Sequence, residues 1–372
     1  MDRKEVLIGL AGMAVSIAAV GRAQAQTAAA YPADYATIVE GSKAEGPMTV
    51  YSVFGEEFWP TILEPLNAKY PWLKVNYLDL GGTEAVQRYL IEKSAGSKTA
   101  DFLVLNSPQA WSDLAARGEV VEYKSPESSK LPDWAIRHPG VYGILIDAEV
   151  FAWNKRLLPA ELAPSSMEDF AAKVSANKDV FDGKVVAFPA MQDAYRKLAL
   201  LRLLEKHGEK MWTWLDAIGP SVRFESSSGT MVEKILSGEF VVGMGVPLAR
   251  CVTTMQDPAR AALFDWAYMK DGTTVGPRQA GIPVGGATPN SSRLLLDVIL
   301  SQAGQTAVAK TNKIPIRSDL ATADLPEGAI TVQQIIDAIG AENVVDVYYK
   351  PEQEAGNAAF IAKYTKAFNV KS

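Results

Sequence analysis

From Met48 onward, short apolar runs rich in β-formers alternate with amphipathic stretches. Met48–Val53, Leu73–Leu80 and Ala100–Asn106 predict strands. Between them, Glu57–Tyr70 sets Phe58, Ile62, Leu63 and Leu66 on one helical face, with Pro65 as an expected kink. Glu84–Ala95 places Val86 and Leu90 four residues apart, again a helical spacing. A second set follows. Gly143–Asn154, Lys184–Pro189, Glu239–Val246 and Phe264–Met269 predict strands, and Met191–Lys206, Glu209–Ile218 and Thr230–Leu236 predict helices. Gly238 should stop the last of these. Ser291–Gln302 and Gln333–Ile339 read as further helices. Alternation of strand and helix predicts an α/β fold whose mixed, largely parallel sheets carry helices on both faces. Two such sets predict two lobes with a cleft between them, at the carboxyl ends of the strands.

The N-terminus has a different pattern. Arg3 and Lys4 precede an apolar run, Val6–Val20, which ends before Ala23-Gln24-Ala25. That order predicts a secretory signal peptide cleaved after Ala25, the alternative being a membrane anchor. Residues 26–45 are small and polar and read as a tether or loose arm with room for one helical turn. The expected organisation therefore begins with a leader over 1–25 and an arm over 26–45.

Composition narrows the function. The single cysteine, Cys251, leaves no internal disulfide, so an exported chain of 372 residues and 48% hydrophobic content must rest on its core. Cys251 is expected to be buried. A formal charge of −6, one unit more negative once the leader is gone, and the absence of a basic run argue against nucleic acid as a partner. Two histidines, His138 and His207, are too few for a histidine metal cluster, and no cofactor or metal is expected. No G-x-S-x-G, H-E-x-x-H or phosphate-binding Walker loop is present. Ser175-Ala-Asn-Lys178 matches S-x-x-K inside a polar segment, where coincidence explains it, and a secreted hydrolase stays the remote alternative.

Several segments carry a resemblance. Met48-Thr-Val-Tyr-Ser-Val-Phe-Gly, Thr99-Ala-Asp-Phe-Leu-Val-Leu-Asn-Ser, His207-Gly-Glu-Lys-Met-Trp-Thr-Trp-Leu, Leu236-Ser-Gly-Glu-Phe-Val-Val-Gly, Ser301-Gln-Ala-Gly-Gln and Ile314-Pro-Ile-Arg follow one another in the order seen in bacterial extracellular solute-binding proteins. The chain resembles the branch with ferric-ion-, thiamine-, polyamine- and sugar-phosphate-binding members. The resemblance implies a type 2-like periplasmic-binding-protein fold with hinge segments near Val141–Asp147 and Tyr268–Val275, and hence a first lobe over 46–142 and 274–322 and a second over 143–273 and 323–372. It implies a monomer that hands a small molecule to an ABC-transporter permease. Ferric-binding members carry paired tyrosines after the strand that is Glu239–Val246 here; this chain has Leu248-Ala249. Its adjacent Tyr348 and Tyr349 lie near the C-terminus.

Candidate ligand contacts sit after the predicted strands. Ser52, Phe54 and Gly55 follow the first, Thr83 opens a helix after Gly81-Gly82, and Asn106 and Ser107 follow the third. Each is also an ordinary turn or cap. Gln192 and Asp193 follow Lys184–Pro189. Ser226, Ser227, Ser228, Gly229 and Thr230 put hydroxyls and a side-chain-free position before an amphipathic helix, whose first amides attract anions. Arg250 follows the next strand and suits bidentate pairing with an anion. Asp147, Glu149, Glu56 and Glu57 would instead suit a cation if they face the cleft, so the sign of the ligand's charge stays open.

Overall fold

The computed structural model describes residues 31–370, apart from Ala33 and Ser318; the expected leader and the expected cleavage site lie outside them. Its ten strands are β1 (Met48–Ser52), β2 (Val75–Asp79), β3 (Phe102–Leu105), β4 (Val141–Asn154), β5 (Val185–Ala187), β6 (Val222–Phe224), β7 (Val242–Pro247), β8 (Phe264–Ala267), β9 (Thr273–Gly281) and β10 (Val344–Asp346). The main path runs β2-β1-β3-β9-β4-β7-β5-β6, with β10 on β9 and β8 on β4.

Two long strands make one path out of two sheets. The first half of β4 pairs antiparallel with β9, from Val141 against Gly281 to Ala148 against Val275. Its second half pairs with β7 on one edge and β8 on the other. Parallel pairs β1–β2 and β1–β3 build one end; β5–β6 and β5–β7 build the other. All 14 residues of β4 are buried, because both lobes cover it. The period of two then sorts side chains between faces. Val50, Phe102 and Val104 enter one core, whereas Tyr51, Leu103 and Leu105 enter the core on the opposite face of the same strands. In the second lobe Phe151 and Trp153 do the same against Val150 and Ala152.

Several expectations shift. The second long strand, which pairs with β4, is β9, Thr273–Gly281, and it overlaps the expected segment Tyr268–Val275 only at its start. Pro277 and Gly276 disguise it, since proline is poor in a central strand; here Pro277 lies opposite Ile146. The expected helix over Ser291–Gln302 is two helices, Pro289–Leu300 and Gln302–Lys310, parted at Ser301, whose hydroxyl caps the second. Met191–Lys206 resolves into a short 3-10 turn and the helix Ala194–His207. The helix read as Thr230–Leu236 spans Ser228–Ser237, and Gly238 ends it in the left-handed region at φ +84°.

Residues 35–43, read as part of a loose arm, form the helix Tyr35–Lys43. Two long-range hydrogen bonds explain its order. Tyr35 donates its hydroxyl to buried Asp297, 2.9 Å away, and Trp72 Nε1 donates to Ser42 Oγ at 3.0 Å. Neither partner is visible to local pattern.

Candidate functional site

A cleft of about 740 Å³ opens where the parallel strands end. Five strand ends and the paired strands β4 and β9 supply most of its walls. The turn after β1 brings Val53, Phe54 and Glu57; Asp79 closes β2; Phe188 follows β5; Ser226–Ser228 follow β6; Pro247, Ala249 and Arg250 follow β7. Asp147 and Arg278 stand on β4 and β9 at its floor, and Lys310–Lys313 come from the end of the Gln302–Lys310 helix.

Of the expected contacts, Phe54, Ser226, Ser227, Ser228 and Arg250 line this cleft. Ser52 is fully buried one turn below. Its hydroxyl oxygen accepts from the Phe54 amide at 2.9 Å and from Trp59 Nε1 at 3.0 Å, which fixes the turn that presents Phe54. Gly55 packs against Asp79, which a Cβ there would meet at 2.8 Å. Thr83 is exposed on the Gly82–Ser94 helix, while Asn106 fills the space over Gly82. Ser107 and Asp193 are helix caps, accepting from Ala110 N and Arg196 N. Gln192 borders a neighbouring depression with Glu225 and Met191. Gly229 and Thr230 lie in the first turn of the Ser228–Ser237 helix, outside the lining; Thr230 donates its amide to Ser227 Oγ.

Charge distribution decides what the cleft can hold. Arg196, Arg250, Arg278, Lys310 and Lys313 face Glu57, Asp79 and Asp147. Arg278 is spent on Asp147. Burial would raise the Asp147 carboxyl, but Arg278 overrides it and holds the group below the usual range. Beneath the cleft, Arg196 Nη1 lies 2.7 Å from Glu149 Oε1, without the alignment of a hydrogen bond. Burial therefore wins at Glu149 and pushes its carboxyl up, with Arg196 offsetting only part. Asp147 and Glu149 are thus not free counter-charges for a cation. Glu56 does not line the cleft; Glu57 does.

Two cations remain. Among the described residues, neither the Arg250 guanidinium nor the Lys313 ammonium makes a hydrogen bond or ion pair within the chain. Lys313 sits 4.7 Å over the Phe54 ring, and burial depresses its pKa, with nearby Asp147 opposing the shift. A desolvated ammonium without an acceptor is costly, and an anion in the cleft would relieve that cost.

Arg196, Arg278, Lys313, Phe188 and Asp79 were not legible as site residues. Arg278 hides beside Pro277, and Arg196 looks like any charge in a helix. Tyr348 and Tyr349 lie outside the cleft; Tyr348 is flanked by Arg137 and Arg202. No tyrosine or histidine is among the lining residues.

No curated protein matches the chain. Solved structures do. A substrate-binding protein of an ABC transporter from Agrobacterium tumefaciens aligns with a TM-score of 0.75 at 20% identity, over 87% of this chain and 95% of that one. Iron-bound HitA from Pseudomonas aeruginosa aligns at 0.68 and 14% identity, over 86% and 99%. AfuA from Actinobacillus pleuropneumoniae, with fructose-6-phosphate bound, aligns at 0.67 and 16% identity, over 88% and 100%. At these identities the likeness speaks for the fold, which is the two-lobed fold of periplasmic binding proteins. The model for bacterial extracellular solute-binding proteins matches residues 61–332, most of the chain, and the protein belongs to that family.

Proposed function

We propose that this protein captures a small organic anion, of the carboxylate or phosphate type, in the cleft between its lobes and delivers it unchanged to an ABC-transporter permease from the periplasm. The observation that carries the anion is the pair Lys313 and Arg250, cationic groups facing the cleft with no partner among the described residues. The exposed hydroxyls of Ser226 and Ser227 and the cap of the Ser228–Ser237 helix stand on the same wall and add neutral donors. The bound fructose-6-phosphate in the Actinobacillus relative agrees with an anionic ligand. In this reading the leader is removed after Ala25 and the product works as a monomer. The lobes are 46–142 with 274–322, and 143–273 with 323–372, turning about β4 and β9.

A cationic ligand is the second reading, because Asp79 and Glu57 share the first-lobe wall and burial, then Glu57, raises the Asp79 carboxyl. The test is a thermal-shift and calorimetric screen of carboxylates, phosphates, polyamines and Fe³⁺. Anions are expected to bind, and Lys313→Ala to weaken the best of them about ten- to a hundredfold, as for one lost hydrogen bond to a charged group. Iron should produce no phenolate charge-transfer colour, since Leu248 and Ala249 stand where ferric-binding relatives place tyrosines. A screen in which only polyamines bind overturns the anion.

A further inference from the structure

Behind the cleft lies a second cavity, of about 80 Å³, inside the second lobe. Its position follows from local pattern. Ala199 and Leu203 sit four apart on one face of the Ala194–His207 helix, and Met211 and Leu215 do the same on Glu209–Ile218. These faces close over the middle of β7, where Met244 and Gly245 complete the wall. The walls are almost wholly apolar and hold four of the chain's ten methionines, Met167, Met211, Met244 and Met269. Methionine side chains are flexible and polarisable, so such walls adapt to an inserted apolar group.

Phe188 and Arg196 line both the cleft and this cavity, with the guanidinium carbon 4.2 Å above the ring centre. Two buried polar atoms at this shared wall are unmatched. Arg196 Nε has no acceptor and Glu149 Oε1 has no aligned donor, although both side chains are about nine-tenths buried. A slight turn of the guanidinium would let it fork between Glu149 and an oxygen of a bound anion, satisfying both. An anion held there would have its next carbon beside Phe188, at the edge of the methionine-lined space.

We infer that this cavity is a subsite for the apolar tail of the cleft's ligand, which is therefore a straight-chain anion, an acid or phosphate monoester bearing a short alkyl chain. The inference rests on the anion reading above and adds the tail. At about 30 Å³ per water, a cavity of about 80 Å³ holds roughly three waters, or about as many methylenes.

The experiment is calorimetry with unbranched carboxylates from acetate to decanoate, and with alkyl phosphates of the same lengths. The expected result is affinity rising about fourfold per methylene, then levelling off within that chain length. In Ala199→Leu and in Ala190→Val, which place methyl groups in the cavity, the hexanoate-to-acetate affinity ratio should fall at least tenfold below that of the wild type. The wild-type series decides the matter even if neither variant folds. Equal affinity for short and long chains overturns the subsite and leaves the anion reading standing. So does a rise that continues through decanoate, or a ratio unchanged in both folded variants. Failure of every carboxylate and phosphate to bind, at any length, removes the anion reading and the subsite together.

Discussion

Asp297 shows how one residue sets the terms for its surroundings. It is wholly buried in the Pro289–Leu300 helix and accepts from Tyr35 and Tyr123 through one oxygen and from Ser125 through the other. Burial nonetheless dominates these donors and pushes its pKa up to about 6 from 3.8. The native state therefore holds this proton where the unfolded chain has released it. The stabilising contribution is complete below the unfolded value and is lost as pH rises through about 6, a change on the order of 3 kcal/mol. Asp297→Asn keeps an acceptor and removes the charge, and the flanking hydroxyls can turn to accept from its amide. Its stability relative to the wild type should thus climb between pH 4 and pH 7. Urea melts across that range check this, and parallel curves for the two proteins would refute it.

At the scale of elements, the closest packing falls where backbones meet. A Cβ on Gly219 would lie 2.0 Å from the carbonyl oxygen of Ala367, at the end of the Asn357–Ala367 helix. No side-chain rotation relieves a clash with a carbonyl. Gly219→Ala should therefore cost about 1–3 kcal/mol, as overpacking does. The loss should be local, because this helix packs on Glu209–Ile218. Hydrogen exchange should quicken in residues 357–367 and stay unchanged in β1–β3; uniform acceleration would show that the lobes unfold as one.

The whole molecule is two lobes on one continuous sheet path. β4 and β9 pair where the lobes meet, and among the described residues the cleft rim carries a further hydrogen-bonded bridge. Asn312, at φ +60° after a helix that packs on Trp59–Lys69, exchanges two hydrogen bonds with Gln256 and donates to Thr253 Oγ1. Thr253 lies on the Leu248–Met255 helix of the other lobe, and Gln256 is its C-cap. These bonds are exposed, each worth roughly 0.5–1.5 kcal/mol net. Ligand touching both walls should favour closure. Small-angle scattering should show a smaller radius of gyration at saturation with the best anion than without it. Asn312→Ala should enlarge the ligand-free radius and weaken binding several-fold, with the saturated radius unchanged. A wild-type profile insensitive to ligand would count against closure.

Periodicity alone made the class of fold readable in this chain. Alternating strands such as Met48–Val53 and helical faces such as Val232, Ile235 and Leu236 report local backbone preference, which neighbours in sequence impose. The serine run before the Ser228–Ser237 helix was legible for the same reason, since a helix entrance is a local feature. β9 was not, because Gly276 and Pro277 disfavour a strand locally and only their pairing with Asp147 and Ile146 of β4 holds them in one. Nor were Arg278, Arg196 and Lys313 legible at the cleft. They reach it from β9, from the helix after β5 and from the turn after Lys310, segments far apart in sequence. Whether a charge is spent or available depends on its partner in space. Asp147 and Glu149 read alike along the chain, yet Arg278 holds the first ionised, whereas the imperfectly aligned Arg196 leaves the second to the cost of burial. Local order wrote the elements; long-range pairing chose which charges face the ligand.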